Sequence, residues 1–521
     1  MGGERKIKSV AIIGAGAAGA VTAAAFKAEN YFERIQVFER RESAGGTWIY
    51  DPNPAELPPL QPGSLPPDVD PAVEIPGELP QVKPHSQRER YTQTPIYRSL
   101  TTNVPDIAMS FSDSRFAYGP FAPHWVPRQY IENYFSLHKT DSILVLNTTV
   151  EDVTRIPAKD RPEQWRLTLR KFDAARNVDI WWQEIFDAVI LANGHYSVPY
   201  VPHVKGLDEY IKKFPGRVVH SKTYRTPEPF TGKKIVTIGN SASGHDVTEE
   251  LVKTARTPVF QSRRSKSRWD GDEPPPGIEW KSVIKEYHLD GRIVFEDGSH
   301  LDDVDHVIYC TGYKPSYPFW NSEANGGRAL YDYKEGKLIK TFWHTFFQDF
   351  QKLGIVGMPR VLTFRSFEYQ AIALARVFSG RHSVALPPVE EQERWERERA
   401  ELVRKDGRKF HDIAWETGET FEWLNWLFRV AGLPTLRGKG RTPPVLSEEL
   451  IWAVEHVRKY AEPGNPIDGD ESQEKKKKKE AEEAEVAGTG FYGDGHEHRA
   501  EEQKGKWLLV QRPKKDLLGF I

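Results

Sequence analysis

The sequence predicts an α/β protein with two Rossmann-like dinucleotide-binding domains, the second inserted in the first. Three observations support this fold class. A glycine-rich turn stands between a predicted strand and a predicted helix at residues 14–19, and a similar turn recurs 225 residues later at 239–244. A buried strand at 305–310 then runs into Thr311-Gly312-Tyr313, where we expect the chain to return to the first domain.

The composition excludes several classes of protein. The chain has 521 residues, enough for about two to four domains. Its 72 Lys and Arg nearly balance 74 Asp and Glu, and the net charge of −2 argues against nucleic acid or anionic lipid as a partner. The uncharged run 10–26 is too weakly hydrophobic to span a membrane. The single cysteine, Cys310, excludes an intramolecular disulfide and a thiolate metal site, so we expect a reducing, cytoplasmic location and no bound metal.

The first nucleotide-binding unit is predicted from a strand at 7–13, a helix that extends to Asn30 and a strand at 35–39. Its turn carries Gly14, Gly16 and Gly19. In this pattern the glycines allow a tight turn, a close approach of backbone to a pyrophosphate and close helix–strand packing, while the helix N-terminus offers free N–H groups. Glu39 ends the second strand 25 residues after Gly14, where a carboxylate would accept hydrogen bonds from a ribose.

The second unit has a strand at 234–238, a helix at 243–255 and a strand at 257–261. Its turn carries Gly239, Ser241, Ser243 and Gly244, so a serine replaces the middle glycine. Arg263 and Arg264 follow the last strand, where two guanidinium groups would bind a 2′-phosphate. This favours NADPH over NADH, and a solvated basic turn is the alternative.

Two dinucleotide sites in one chain predict two cofactors that exchange electrons, a flavin in the first site and a hydride donor in the second. Cys310 has no partner for a disulfide relay, which excludes a disulfide reductase. The electrons of the flavin then pass most simply to oxygen.

A longer motif stands between the two units. Phe214, Gly216, His220 and Tyr224 match the pattern F-x-G-x-x-x-H-x-x-x-Y. With Gly45-Gly46-Thr47-Trp48, and Thr102-Asn103-x-Pro105 followed by Met109, it makes residues 8–435 resemble a flavin-containing monooxygenase of the soluble, fungal type. Baeyer–Villiger enzymes carry Trp followed by Pro or Asp at the end of this fingerprint, whereas this chain has Tyr224-Arg225. One departure is Ala192-Asn193-Gly194, where the family has Ala-Thr-Gly.

The resemblance implies FAD and NADPH as cofactors and O2 as co-substrate. It implies oxygenation of a nucleophilic nitrogen or sulfur through a flavin C4a-hydroperoxide, as in N,N-dimethylaniline monooxygenases. Asn103 would be the catalytic residue and His220 a hinge residue. The cofactor-binding residues would be Gly14, Gly16, Gly19, Glu39, Arg40, Gly46, Thr47, Trp48, Thr102 and Val150 for FAD, and Gly239, Ser241, Ser243, Gly244, Arg263 and Arg264 for NADPH. Two alternatives stay open: a Baeyer–Villiger oxygenase that acts on a ketone, and a non-catalytic nucleotide-sensing protein.

The expected domain division is 1–208 and 325–521 for the FAD domain and 209–324 for the NADPH domain. Residues 52–84 contain 11 prolines in 33 positions, which predicts an extended surface insertion without regular structure. Helices after residue 388 are expected to pack on the outside of the core. The charged stretch 468–506 predicts a solvated, disordered loop. The oligomeric state is left open, a homodimer included.

Overall fold

The computed structural model describes residues 7–85, 91–157, 163–267, 270–434 and 438–460, with the backbone of 508–509. The prediction for 468–506 therefore lies outside the described residues. The helices are α1 Ala17–Ala28, α2 Pro66–Val69, α3 Asp106–Met109, α4 Trp125–Leu137, α5 Leu207–Lys213, α6 Ala242–Val252, α7 Phe364–Phe378, α8 Val389–Lys405, α9 Glu419–Ala431 and α10 Glu448–His456.

The strands range from two to ten residues in length. They are β1 Ser9–Ile13, β2 Arg34–Phe38, β3 Gln81–Pro84, β4 Leu144–Val145, β5 Thr148–Ile156, β6 Gln164–Asp173, β7 Val178–Phe186, β8 Ala188–Leu191, β9 Val198–Pro199, β10 Val218–His220, β11 Ile235–Ile238, β12 Val259–Ser262, β13 Ile278–Lys281, β14 Ile284–Tyr287, β15 Ile293–Phe295, β16 His300–Leu301, β17 His306–Tyr309, β18 Tyr313–Lys314, β19 Tyr331–Asp332, β20 Lys337–Leu338, β21 Thr341–Phe342, β22 Phe346–Phe347, β23 Leu353–Ile355, β24 Val457–Arg458 and β25 Leu508–Leu509.

The first domain is built on a seven-stranded sheet with the order β21-β22-β23-β8-β1-β2-β4. Its central pairs, β23–β8, β8–β1 and β1–β2, are parallel. The sequence of β8, Ala-Val-Ile-Leu, is buried at every position, as expected for a parallel strand that is covered on both faces. Helix α1 packs against α7 on one face, and its alanines allow this close approach.

The second domain has a separate five-stranded parallel sheet with the order β10-β17-β11-β12-β13. The two glycine-rich turns therefore follow strands of different sheets, which confirms the predicted fold class. The chain leaves the first domain through β9 and returns through β18, and these two strands pair antiparallel. Tyr317, Phe319 and Trp320, which follow β18, already pack in a core cluster of the first domain. The domain boundaries at 208 and 324 stay predictions.

The expectation that the proline-rich segment has no regular structure is wrong. Pro66 and Pro67 begin the one-turn helix α2, and Pro84 ends strand β3. Strand β3 lies at the edge of the four-stranded sheet β3-β7-β6-β5. Proline is tolerated in the first turn of a helix and on an edge strand, because neither position needs its missing N–H.

The predicted helices after residue 388 are present, but the expectation that they all pack on the outside of the core is wrong. Helix α9 packs against α7, and its Trp423, Leu424 and Leu427 are buried in the main core of the first domain. These side chains recur every three or four residues, which places them on one face of the helix. Within the described ranges, no helix is both long enough and apolar enough to cross a membrane.

Candidate functional site

One cavity of about 1370 Å³ lies between the two domains and receives both glycine-rich turns. Pockets for single small ligands typically measure about 300–1,000 Å³, so this cavity has room for more than one. The predicted residues that line it are Gly14, Gly16, Glu39, Arg40, Gly46, Thr47, Trp48, Asn103, Val150, Gly239, Ser241, Ser243 and Arg264. Four other predicted cofactor residues, Gly19, Thr102, Gly244 and Arg263, do not line it.

The first turn keeps open the space that a pyrophosphate needs. Gly14 has φ +107°, and a Cβ there would lie 2.6 Å from the carbonyl oxygen of Ala192. A Cβ on Gly46 would lie 2.7 Å from Cα of Gly16, so the two loops touch through glycines. Gly19 acts differently, because a Cβ there would lie 1.9 Å from the carbonyl oxygen of Gly14 and would push α1 off the turn. The N-terminus of α1 thus faces the cavity at close range, and the turn fits a dinucleotide phosphate.

Glu39 braces this turn. Its Oε2 accepts a hydrogen bond of 2.8 Å from the N–H of Ala15, and its Oε1 accepts one of 2.9 Å from the N–H of Arg41. The carboxylate is buried and still borders the cavity, where a ribose would meet it. Arg40 is exposed into the cavity, and its guanidinium makes one long contact of 3.4 Å, to the carbonyl oxygen of Tyr91, among the residues that the structure describes.

Asn103 lies in the cavity wall just before α3. Its side chain is exposed, and no hydrogen bond from it is found to any described residue. Its neighbour Thr102 has a different place: it is buried, and its hydroxyl accepts a 3.0 Å hydrogen bond from the N–H of Ala122. The structure therefore leaves the amide of Asn103 available to a ligand, whereas Thr102 holds the loop that carries it.

The second turn repeats the packing of the first. A Cβ on Gly244 would lie 2.2 Å from the carbonyl oxygen of Gly239, the same close contact that Gly19 makes in the first unit. Ser241 is the N-cap residue of α6, and its side chain makes no capping bond there. Gly239, Ser241 and Ser243 face the cavity, so a second dinucleotide fits at this turn.

The two arginines after β12 have different environments. Arg263 forms an ion pair of 2.9 Å with Asp270, and its guanidinium lies 3.4 Å from the ring centroid of Trp280. Hydrogen bonds from Ser267, Asn240 and Arg263 hold the pKa of Asp270 below its usual value although burial acts to raise it. Arg264 is exposed into the cavity and forms no ion pair in the described part of the chain. Of the two, Arg264 is the one placed to meet a phosphate.

The fingerprint residues lie at the connection between the domains. Phe214 caps the end of α5, Gly216 has φ +77°, and the hydroxyl of Tyr224 donates to Glu250 at 2.7 Å. His220 is buried, and its Nδ1 accepts a hydrogen bond from the N–H of Lys222.

That acceptor role leaves the proton of His220 on Nε2, which donates at 3.1 Å to the carbonyl oxygen of Gly312 on the returning chain. Burial lowers the pKa of His220 to about 3, which keeps the ring neutral. His220 thus joins the outgoing and returning connections between the domains, and its role as a hinge residue stays a prediction.

Arg225, next in sequence to the fingerprint, fixes the inserted domain to the first. Its guanidinium donates to the carbonyl oxygens of Asp51 at 2.7 Å and Thr94 at 3.0 Å. Nearby, the ammonium of Lys222 donates to the carbonyl oxygen of Ser197, and burial together with Arg40 and Arg41 lowers its pKa well below the ordinary value. Neither contact was expected, because each joins loops that are distant in sequence.

A further group that sequence reasoning missed surrounds Asp246 on α6. Tyr97 of the first domain donates its hydroxyl to this carboxylate. Tyr460 donates to it at 2.9 Å, and Lys459 forms an ion pair with it at 3.0 Å. We call these four residues the Asp246 clasp. All four line the cavity, and no local pattern connects positions that lie up to 363 residues apart.

Comparisons with known proteins show which family the chain belongs to. The family described as flavin-binding monooxygenase-like matches residues 77–269 and 276–412, and the NAD(P)-binding Rossmann-like domain matches residues 12–57. The chain is 31% identical over 444 residues to the flavin-containing monooxygenase FMO GS-OX5 of Arabidopsis thaliana, which covers 82% of this chain and 85% of that protein.

Two solved structures show the same fold. The S-allyl-L-cysteine S-oxygenase from Allium sativum superimposes with a TM-score of 0.66 and 26% identity, over 95% of this chain and 98% of that one. The open structure of cyclohexanone monooxygenase gives a TM-score of 0.53 at 13% identity, over 82% of this chain and 98% of that one, and this likeness concerns the fold alone. The two glycine-rich turns, the fingerprint between the domains and the family match lead to one conclusion: the chain belongs to the flavin-containing monooxygenases, and its cofactors are FAD and a nicotinamide dinucleotide, NAD(P)H.

Proposed function

We propose that the protein is an NADPH- and O2-dependent monooxygenase that transfers one oxygen atom to a nucleophilic sulfur or nitrogen of a small molecule, with sulfur as the first candidate. The observation that carries this proposal is the single cavity that receives both glycine-rich turns and the exposed amide of Asn103. Sulfur is favoured because the S-oxygenase from Allium sativum shares the fold over nearly the whole chain at 26% identity.

The overall reaction balances, because O2 takes two electrons from NADPH and two from the substrate sulfur. A thioether, O2, NADPH and one proton give a sulfoxide, water and NADP⁺. Bound FAD supplies the redox chemistry, since it accepts a hydride and activates oxygen. The C4a-hydroperoxide expected from the sequence is part of this proposal, as is the use of NADPH rather than NADH.

The residues of the chain bind and orient the reactants. The turn at Gly14 and Gly16 and the turn at Gly239 would each hold a pyrophosphate against a helix N-terminus, and Glu39 would accept from a ribose. Arg264 would bind the 2′-phosphate. Asn103 has no hydrogen bond to any described residue, so its amide can donate to an oxygen or to the nicotinamide without releasing an acidic proton.

Two other functions predict different products. A Baeyer–Villiger enzyme would convert a ketone to an ester, but the likeness to cyclohexanone monooxygenase is one of fold, and Tyr224-Arg225 departs from the fingerprint of that class. A nucleotide-sensing protein would bind cofactor without turnover. The cytoplasmic location and the oligomeric state stay predictions from the sequence.

Product analysis separates these functions. Purified FAD-loaded protein is supplied with NADPH, O2 and one substrate at a time: a thioether, N,N-dimethylaniline or cyclohexanone. We expect NADPH consumption with a sulfoxide as the main product, identified by mass spectrometry as the thioether plus one oxygen. An ester from the ketone as the main product would assign the protein to the Baeyer–Villiger class. Protein that binds FAD and NADPH but consumes neither O2 nor NADPH with any substrate would be a sensor.

A further inference from the structure

Several cationic side chains that line the cavity form no ion pair with a described carboxylate. Among the described residues that line it, Arg41, Arg170 and Lys459 each have a carboxylate within 4 Å. Four others have none: Arg40, Arg264, Arg360 and Lys409. Arg40 and Arg264 belong to the predicted FAD and NADPH sites, whereas Arg360 and Lys409 have no role in anything described so far.

These two side chains come from different parts of the first domain. Arg360 follows β23 and lies with its guanidinium 5.8 Å from the ring centroid of Tyr196. Lys409 lies in the connection between α8 and α9. Arg264 comes from the inserted domain, just after β12. Three cationic groups from two domains therefore border one cavity.

All three groups line the cavity, and Lys409 is close enough to both arginines to be influenced by each. The pKa of Lys409 is lowered by burial, then by Arg360, and also by Arg264 across the cleft. Asp412 acts in the opposite direction but forms no ion pair with Lys409. Cations that share a low-dielectric wall repel one another, and a bound anion reverses the sign of this interaction.

We propose that Arg360 and Lys409 form, together with Arg264, an anion site that spans both domains and takes the 2′-phosphate of NADPH. The inference rests on the proposed function, because Arg264 marks where that phosphate would bind. A phosphate ester suits this set, since Arg offers a planar pair of donors and Lys a compact point charge.

In this site Arg360 and Lys409 of the first domain add to the selectivity for NADPH that Arg264 of the inserted domain provides. NADH lacks the 2′-phosphate and would leave three cations facing each other, while NADPH would draw the two domains together around its phosphate. The cation set also fits an anionic group on a substrate, a carboxylate or sulfate, and the experiment separates the two.

Titration calorimetry on the FAD-loaded enzyme tests the site without turnover. The probes are adenosine 2′,5′-bisphosphate and adenosine 5′-monophosphate, which differ by the 2′-phosphate. We expect Arg360→Ala and Lys409→Ala each to weaken binding of the bisphosphate about 10-fold or more and to leave the monophosphate unchanged. Asp412→Asn, which removes the opposing carboxylate, should tighten the bisphosphate.

Lys314→Ala is the matched control, because Lys314 is a neighbour of Lys409 that does not line the cavity and lies over the ring of Tyr200. It should change neither probe. If the unmodified enzyme binds both probes equally, the use of NADPH itself fails.

If the unmodified enzyme prefers the bisphosphate but Arg360→Ala and Lys409→Ala bind it normally, the spanning site is overturned and NADPH use stands. If these variants bind it normally and raise KM for a thioether carboxylic acid but not for a neutral thioether, the anion belongs to the substrate and the 2′-phosphate assignment is wrong.

Discussion

At the scale of single residues, some polar groups at or beside the cavity hydrogen-bond within the fold, and others are left to ligands. Glu39 and Thr102 both hydrogen-bond to backbone N–H groups and so stabilise the loops that surround the site. Asn103 makes no such bond to the described residues, and its side chain is exposed into the cavity. Its replacement should therefore disturb chemistry more than folding.

Asn103→Leu keeps similar bulk and removes the amide. We expect FAD binding and flavin reduction by NADPH to persist, because no described residue depends on this side chain. Loss of one donor at a developing or polarised oxygen typically costs about 2.7–4 kcal/mol. Oxygen should then be consumed with release of hydrogen peroxide in place of oxygenated product, measured as peroxide formed per NADPH oxidised. If the yield of oxygenated product per NADPH oxidised is unchanged, Asn103 is a turn residue before Pro105 and has no catalytic role.

Substitution of Gly19 or of Gly244, which hold equivalent positions in the two turns, should remove one cofactor at a time. Gly19→Ala should lose FAD, because its Cβ would lie 1.9 Å from the carbonyl oxygen of Gly14. Gly244→Ala should keep FAD and weaken NADPH, because its Cβ would lie 2.2 Å from the carbonyl oxygen of Gly239. Flavin absorbance and NADP⁺ titration measure the two losses. Gly77→Ala has no atom within 4 Å of its new Cβ and should lose neither cofactor; equal losses in all three variants would refute the assignment.

At the scale of elements, the Asp246 clasp joins three segments that share no sheet. Helix α6 of the inserted domain supplies Asp246, the loop before α3 supplies Tyr97, and the chain after β24 supplies Lys459 and Tyr460. Lys459 also reaches the carbonyl oxygen of Thr101, two residues before Asn103, at 3.4 Å. The clasp therefore joins α6, the helix after the second turn, to the loop that carries the predicted catalytic residue.

Asp246→Asn should slow flavin reduction more than it weakens NADP⁺ binding. The substitution removes the ion pair and leaves Lys459 without its partner, while the turn that binds the cofactor stays intact. The rate at which NADPH bleaches the flavin under nitrogen measures the effect, and NADP⁺ titration serves as its comparison.

Tyr460→Phe removes one hydrogen bond of the clasp, which contributes about 1 kcal/mol. Its rate of flavin reduction should lie between those of Asp246→Asn and the unmodified protein. A parallel loss of affinity and reduction rate in Asp246→Asn would show that the clasp serves cofactor binding alone.

At the scale of the whole molecule, several buried histidines are neutral and tie distant segments together. His195 donates from Nδ1 to the carbonyl oxygen of Gly357, and His411 accepts at Nε2 from the N–H of Leu338. Burial, helped by nearby cations such as Arg360 at His195 and Arg399 at His411, lowers the pKa of His195, His220 and His411 to about 3 each. Folding therefore excludes protons that the unfolded chain binds below its ordinary histidine pKa of about 6.5.

The sign of the pH dependence follows from this difference. The stabilising contribution is fully present above pH 6.5 and is lost as the pH falls toward 3, because only the unfolded state takes up the protons. Each such histidine costs about 2 kcal/mol at pH 5 relative to neutral pH. We expect the Tm of the FAD-loaded protein to fall between pH 7 and pH 5.

The decrease in Tm between pH 7 and pH 5 should be smaller in His220→Gln than in the unmodified protein. The Tm of this variant at pH 7 should be lower, because the hydrogen bond to Gly312 is changed. His300→Gln removes an imidazole that is half exposed and should leave the fall unchanged. A His220→Gln protein that loses Tm with pH as steeply as the unmodified one would contradict the assignment.

Local pattern was enough to locate both nucleotide-binding units. The strands, helices and glycine-rich turns of these units depend on residues close in sequence, so spacing alone predicts them. The prediction for the proline-rich segment was wrong because a proline lacks only its own backbone N–H. An edge strand and the first turn of a helix do not need that N–H, so both accept proline.

The sequence by itself determined the fold class, the two cofactor turns and the fingerprint between them. Tertiary structure alone decided which arginine faces the cavity, since Arg263 is held by Asp270 and Trp280 while its neighbour Arg264 is not. It also decided that Arg360, Lys409 and the Asp246 clasp border the same cavity. These groups lie tens to hundreds of residues apart, and only the packing of two domains around one cleft brings their charges within range of each other.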